Sequence, residues 1–456
     1  MNNSIAKYLF FFLEYLRQED VRKYLAKLES NQYLTREELS KIQRDKLVQL
    51  IKYVIKNNDY FKAKYDGYDP IASFHTLPCM TKDELRAHLN DIITCAKNKK
   101  RLDLVKTSGS TGMPLMLYRD RIVFGYNLAA VYRGHRWHGL DIGSKEAMLW
   151  GIPVDWRNRL GVRFRDFLLN RFREKKFNLE PSVLMDFYKK IIKKEADYIY
   201  GYTSMVYEFA LFLKNMNLKI DNHMLKGAVC TAETIYDYQR SVIEEVLGCK
   251  VISEYGSTET GIITFECKEG RHHVQDDCVY VEVVDDDNLP VPMGQTGKIL
   301  VTVLHSFSFP IIRYQLGDYV RMSDDTCPCG VNLSIIDQIV GRTNDIIVTP
   351  QGRCFHSIAI YYIMKEFISK FGGIKQFKVR QTHISKLEIH IIRTESYNGI
   401  AEGWLLSNIK DLFGKEMSVN FIYHDSFQRS ESGKLRDFES CLDTSNYLVE
   451  NFNRLL

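Results

Sequence analysis

The spacing of apolar positions divides the chain into stretches of different rhythm. Over the first hundred residues it is helical. Leu47, Leu50, Ile51, Val54 and Ile55 recur three and four apart and would form one apolar face. Thr35-Arg36-Glu37-Glu38 has capping-box spacing ahead of that run, and Thr81-Lys82-Asp83-Glu84 repeats the signal after Leu77-Pro78. From about Tyr118 into the 250s, short apolar runs alternate with longer helical ones. Ala147–Ile152, Tyr198–Tyr202, Gly227–Cys230 and Val251–Ser253 read as buried strands, with Pro181–Ala196 and Tyr236–Leu247 among the helices between them. That alternation predicts βα units around a largely parallel sheet.

Between Ile262 and Met322 the period changes to two. Val279–Val284, the polar turn Asp285-Asp286-Asp287-Asn288, the turn Pro292-Met293-Gly294 and Lys298–Leu304 predict antiparallel strands, as a barrel-like subdomain appended to the α/β body. After Gly341 the order is strand, helix (Ser357–Lys370), strands (Gln376–Gln381, Lys386–Arg393), helix (Ile400–Phe413) and strand (Ser418–His424). That is enough for a separate α+β domain of ordinary size. The expected plan is an α/β N-terminal domain over 1–341, mainly helical over 1–100, a hinge at 342–345, and a small mobile domain over 346–456.

Composition adds bounds. A chain of 456 residues exceeds one ordinary core. With 45% hydrophobic and 26% charged residues it is globular in type. The net charge of +5 is small, and the cluster Lys97-Asn98-Lys99-Lys100-Arg101 reads as a solvated loop, so nucleic acid is not an expected partner. Ten cysteines spread over this length make no disulfide framework. The apolar patch Tyr8–Leu13 is followed by Glu14, Arg17, Glu19 and Asp20, too soon to span a bilayer. It reads as an amphipathic helix packed on the body, and the expected compartment is the cytoplasm.

The candidate chemistry begins at Lys106–Pro114, where Thr107, Ser108, Gly109, Ser110, Thr111 and Gly112 form a loop closed by Pro114. Glycines allow several N–H groups to converge and small hydroxyls add donors, which suits a polyphosphate. No lysine follows the second glycine, so it is not a P-loop. Five further blocks follow in order: Ala232-Glu233-Thr234, Glu254–Glu259, Arg313–Asp318, Gly341–Asp345 and Ser432–Arg436. Together they resemble the adenylate-forming (acyl-CoA synthetase) superfamily, over roughly Gln32 to Leu435. Leu77-Pro78-Cys79-Met80-Thr81-Lys82 and Phe309–Tyr314 resemble its phenylacetate–CoA ligase and CapK-like branch.

The resemblance implies a division of labour. Thr107–Thr111 would hold the β- and γ-phosphates of ATP. Ala232 and Glu233 would offer backbone to adenine, Tyr255 would stack on it, and Gly256 would let the backbone approach. Thr258 would contact nucleotide and Glu259 would bind Mg²⁺. Asp318 would accept from both ribose hydroxyls and Arg342 would contact the nucleotide, with Thr343–Asp345 as hinge. The superfamily often has an acidic residue at the position of Asn344; here only the next residue, Asp345, is acidic. Lys434, in Ser432-Gly433-Lys434-Leu435-Arg436, would reach between carboxylate and α-phosphate as the acyl-adenylate forms. CoA, or an amine or hydroxyl acceptor, would take the acyl group. A nucleotide-binding regulator without activity is a third possibility, against which Glu259, Asp318, Arg342 and Lys434 stand together. Homodimer formation is a further candidate.

Cys267, Cys327 and Cys329, with His272 or His273, make a set of soft ligands suited to tetrahedral Zn²⁺. His273 is preferred for its register with the following strand, and some members of the resembled branch have a similar, structural set. The acyl pocket is expected near Trp137, Trp150 and Gly201-Tyr202-Thr203-Ser204, where Trp and Tyr would suit an aromatic or hydroxylated acid.

Overall fold

The structure, a computed structural model, describes residues 1–17, 19–94, 102–106, 115–150, 159–174, 179–221, 224–342, 346–427 and 438–442. Two compact units emerge. Among the described residues, one is Met1–Leu316 with Arg321–Gln338; the other joins Gly317–Val320 to 339–427 and 438–442.

The first unit opens with α1 (Asn3–Arg17), α2 (Val21–Asn31), α3 (Arg36–Asn57), α4 (Asp59–Lys64) and α5 (Lys82–Ala87). Both capping boxes form: Thr35 and Glu38 close the start of α3, and Thr81 and Glu84 that of α5. α1 buries Ala6 and Phe10 but exposes Ile5, Tyr8, Phe12 and Tyr15 on the opposite side. A hairpin follows, β1 (Asp103–Lys106) and β2 (Met116–Arg119), which sets Lys106 opposite Met116 on either side of the predicted phosphate loop.

The βα region is α6 (Arg121–Trp137), β3 (Glu146–Leu149), α7 (Arg159–Leu168), β4 (Arg171–Glu174), α8 (Pro181–Lys194), β5 (Tyr198–Tyr202), α9 (Thr203–Asn215), β6 (Gly227–Thr231), α10 (Asp237–Leu247) and β7 (Val251–Ser257). The antiparallel strands are β8 (Gly261–Glu266), β9 (His272–Val274), β10 (Val279–Val284), β11 (Thr296–Val303), β12 (Tyr314–Ser323) and β13 (Ile335–Arg342). All but β1 and β2 belong to one eleven-stranded sheet, ordered β10-β11-β12-β13-β9-β8-β7-β6-β5-β3-β4. Strands β4, β3, β5, β6 and β7 run parallel; the direction reverses at the β7–β8 hairpin. The period-two stretch therefore gives the expected antiparallel strands, and they are appended to the α/β body by hydrogen bonding to the edge of its parallel sheet.

Two layers cover the parallel half. Ile199, Ala228 and Val251 pack with Phe187, Val206 and Phe209 of α8 and α9; Tyr198, Val229 and Ile252 pack with Ala129 and Ala130 of α6. A polar knot lies beside the second layer. The Arg133 guanidinium, fully buried, meets Asp277 at 2.8 Å and also donates to Gln275 and to the Leu28 carbonyl. Asn31 and Lys46 reach the same Asp277, tying α2, α3 and α6 to one turn. Burial pushes Asp276 up to about 6, while Arg133 helps hold Asp277 below the usual carboxylate range against the opposing effect of burial.

The second unit contains β14 (Ile346–Val348), β15 (Cys354–His356), α11 (Ile358–Phe371), β16 (Ile374–His383), β17 (Lys386–Arg393), α12 (Glu402–Phe413), β18 (Ser418–His424) and β19 (Phe438–Ser440). Its four-stranded sheet runs β18-β17-β16-β19, with α11 and α12 packed through Met364, Phe367, Leu405 and Ile409. Buried Gln381 bonds both N–H and C=O of Val348, fastening the β14–β15 hairpin to this sheet.

Candidate active site

Strands β6 and β7 end side by side, with Thr231 opposite Glu254. Two of the predicted blocks therefore meet at the carboxyl ends of parallel strands, the edge where open α/β sheets bind ligands. Beyond β6 the chain turns sharply. Ala232 takes the left-handed conformation at φ 66°, a costly choice for a residue with a Cβ. Glu233 holds the turn: its carboxylate accepts the Ser204 N–H at 2.8 Å and its carbonyl accepts the Thr203 hydroxyl at 3.2 Å. The acid thus satisfies an orphan donor at the start of α9, while Ala232 itself is exposed.

On β7 the ladder slips between Tyr255 and Gly256. A Cβ on Gly256 would lie 2.3 Å from the Gly261 carbonyl oxygen, so glycine is demanded by the hairpin itself. The turn that follows is built on Ser257, whose hydroxyl accepts the N–H groups of Glu259 and Thr260, each at 3.1 Å. Asn127 of α6 steadies its far side by accepting the Ile262 N–H at 2.7 Å. Glu259 accepts the Tyr314 hydroxyl at 3.2 Å. Arg119, at the end of β2, donates to the Thr258 carbonyl. Burial lowers its ordinary value and the Glu259 charge opposes that shift. Arg119 and the Tyr314 hydroxyl were not assigned to this corner from sequence. The signal for Arg119 is a basic residue ending the strand that follows the loop.

Ala232, Glu233, Tyr255, Gly256, Thr258 and Glu259 are thus gathered in the first unit. Asp318 is buried on β12 within the second unit, which also contains the backbone of Arg342 at the end of β13. Thr107–Gly112, Thr343–Asp345 and Lys434 lie outside the described residues. Arg313, read as part of a block, spends its side chain on the fold. Buried and at φ 47°, it pairs with Glu282 at 3.1 Å and holds the Leu77 and Asn288 carbonyls. This joins the Leu77–Met80 run to the Ile311–Gln315 run, where Met80 bridges Tyr314. Of the expected pocket residues, Trp150 stacks on Tyr202 at 4.3 Å. Trp137 instead donates to Gln32 and packs edge-on against His273.

The sulfur and imidazole atoms of Cys267, His273, Cys327 and Cys329 all lie within 4.8 Å of one another. Cys267 Sγ and Cys327 Sγ are 3.7 Å apart, and Cys329 Sγ is 3.3 Å from His273 Nε2. The edge of a tetrahedron with metal–sulfur bonds of about 2.3 Å is roughly 3.8 Å. His273 Nδ1 points at the Leu333 carbonyl at 3.1 Å, which leaves Nε2 to face the thiols. His272 lies against Thr264 at 3.0 Å and takes no part in the cluster.

Protein CapK of Staphylococcus aureus is 25% identical to this chain over 415 residues, covering 88% of each. A phenylacetate-coenzyme A ligase of Thermus thermophilus is 22% identical, covering 88% of this chain and 96% of its own. A crystal structure of 2-hydroxyisobutyryl-CoA ligase in the postadenylation state matches with a TM-score of 0.73 at 19% identity, over 93% of this chain and 94% of that one. No family model matches. The chain is thus similar along most of its length to CapK and to phenylacetate-coenzyme A ligases, and it shares the fold of 2-hydroxyisobutyryl-CoA ligase. These similarities agree with the resemblance to the phenylacetate–CoA ligase and CapK-like branch of adenylate-forming enzymes read from the sequence blocks.

Proposed function

We propose that the chain couples ATP to a carboxylic acid, forming an acyl-adenylate and pyrophosphate, and then passes the acyl group to CoA. The observation that carries this is the meeting of Ala232, Tyr255 and Glu259 at adjoining strand ends, in a chain similar along most of its length to ligases that use CoA. The carboxylate oxygen attacks the α-phosphorus, the bond to the β-phosphate bridging oxygen breaks, and pyrophosphate leaves. Little covalent work falls to the protein; it must position two anions and oppose their repulsion. Tyr255 offers a ring to adenine, and Asp318 and Arg342 serve the ribose and nucleotide. Thr107–Gly112 serves the outer phosphates, and Lys434 the developing bond. Glu259 would hold Mg²⁺, which supplies charge neutralisation between the phosphates. The Tyr314 hydroxyl orients that carboxylate, and the Arg119 cation, bonded to the neighbouring Thr258 carbonyl, adds positive charge beside it.

The similarity to CapK supports a second reading, in which an amine or hydroxyl of a surface-polysaccharide precursor replaces CoA. Further elements of the proposal are a mobile second unit hinged at 342–345 and a structural Zn²⁺ held by Cys267, His273, Cys327 and Cys329. The test is pyrophosphate release from ATP and Mg²⁺ with a panel of acids, with and without CoA. Acid-dependent release that falls at least about 100-fold in Lys434→Ala is expected. Unchanged activity in that variant would sink the mechanism, and release indifferent to CoA would favour the second reading.

A further inference from the structure

Two helices of the first unit turn their acids inward and their rings outward. α1 is fastened to the body at its start, where Asn3 donates to Asp197 at 2.8 Å and accepts from Asn170 at 3.2 Å. Gly143 lies so close beneath it that a Cβ there would fall 2.4 Å from the Asn3 carbonyl oxygen. Ala6 and Phe10 are buried under the helix. So is Glu14, its only acid, which accepts the Arg22 N–H at 2.8 Å. The outer face carries Ile5, Tyr8, Phe12 and Tyr15, spaced three and four apart so that they form one stripe.

α7 packs beside α1 and repeats the arrangement. Its one acid, Asp166, is buried and bonds Arg173 at 2.6 Å, while Phe164 and Phe167 face out. The five rings of the two helices are 58–80% exposed. At roughly 200 Å² per ring they present on the order of 650 Å² of mainly apolar surface, more than an ordinary monomer leaves in one patch. A firmly seated helix with its rings in water asks for something to cover them.

The charges around the stripe say what. Arg17, at the end of α1, and Arg165, on α7, are exposed and near enough for each to feel the other's charge. Arg121, also exposed, donates to the Arg17 carbonyl at 2.7 Å. Glu19 pairs with Arg17 at 2.8 Å but is itself buried. Among the described residues, no acid is exposed on either helix. Rings bordered by cations suit an anionic bilayer: apolar groups enter the headgroup boundary, tyrosine hydroxyls stay at its wet side, and arginines meet lipid phosphates. A second copy of the chain fits less well, because a two-fold interface sets a face against itself and gives those arginines no acid.

We propose that the outer face of α1 and α7 is a docking surface for an anionic membrane. No helix among the described residues is long and apolar enough to cross one, so the contact is peripheral. The net charge of +5 draws the chain the same way. The proposal stands apart from the choice of acid and acceptor.

The experiment sediments the full chain with vesicles of phosphatidylcholine alone, or of phosphatidylcholine with about 30% phosphatidylglycerol. Each arginine at such a surface is worth about fivefold in binding, so Arg17 and Arg165 together predict a preference of about 30-fold for the anionic vesicles. That preference should shrink as salt rises from about 0.1 to 1 M. Tyr8→Ser/Phe12→Ser should weaken binding about 10-fold or more, and Arg165→Gln about fivefold on anionic vesicles only. Unchanged Tm and unchanged pyrophosphate release without vesicles show that a variant is folded, and Phe164→Ser/Phe167→Ser serves if the first pair is not. No sedimentation of the wild type with anionic vesicles, or sedimentation unmoved by loss of the rings, overturns the proposal. A wild-type dimer that loss of the rings splits, in a chain that ignores vesicles, overturns it in favour of a second copy. None of these results bears on adenylation.

Discussion

The Arg133–Asp277 pair offers a demanding test of the fold beneath the site. Both side chains are fully buried and meet at 2.8 Å, with a second contact at 3.1 Å. At an effective dielectric of about 20, unit charges with centres roughly 4 Å apart attract by about 4 kcal/mol. Asp277→Asn keeps the shape and removes that attraction, leaving the Arg133 cation with only neutral acceptors in Gln275 and the Leu28 carbonyl. Breaking a buried pair from one side costs about 3–5 kcal/mol. For a unit of roughly 330 residues, an unfolding entropy near 2.1 cal/mol/K per residue converts this into a Tm lower by about 4–7 °C. Scanning calorimetry of Asp277→Asn, Arg133→Met and the double variant Arg133→Met/Asp277→Asn measures it. The double variant removes both charges and should lose less than the two single losses combined. Single losses under about 1 kcal/mol, or strict additivity, would refute the reasoning, because either means that the two charges do not depend on each other.

The remaining expectations concern the site and its supports. Gly256→Ala would put a Cβ 2.3 Å from the Gly261 oxygen and 2.9 Å from the Ile262 Cα, so the β7–β8 turn must shift. Acid-dependent pyrophosphate release should fall by about 10-fold or more, and wild-type rates would show the turn to be irrelevant. For the cluster at Cys267, elemental analysis should find one zinc per chain, and Cys329→Ser should lose it, with Tm falling by several degrees. A purified wild type without metal would remove zinc from the account. Asp276, pushed up to about 6, titrates above its unfolded value near 3.9, so its contribution is most favourable below about pH 4 and is lost as pH rises through about 6. Asp276→Asn should therefore gain about 2–3 kcal/mol relative to wild type between pH 4 and 7; parallel pH profiles would contradict the assigned titration.

Much of the fold was legible because its causes are local. A capping box needs only four consecutive residues, and those at Thr35 and Thr81 form as their spacing predicts. Period-two runs such as Lys386–Arg393 and Ser418–His424 give strands with those bounds. What periodicity could not tell is which strand lies beside which. The antiparallel half reads as a sheet or barrel appended to the body, but nothing in Gly261–Glu266 states that it will pair with β7 and extend the parallel sheet. That outcome depends on one tight turn, where Gly256, Ser257 and Gly261 let the chain reverse at the sheet's centre.

The site divides along the same line. Tyr255, Gly256, Thr258 and Glu259 are contiguous, so a pattern of residue types could mark them. Arg119 and the Tyr314 hydroxyl reach the same corner from far along the chain in both directions, and no single short pattern joins either of them to Glu259. Glu233 and Arg313 show the converse: residues that mark a functional block spend their side chains on a helix start and on a buried ion pair. The choice between His272 and His273 could be decided only in space. On β9 neighbouring side chains face opposite ways, so the one whose Nδ1 meets the Leu333 carbonyl is the one whose Nε2 meets the thiols.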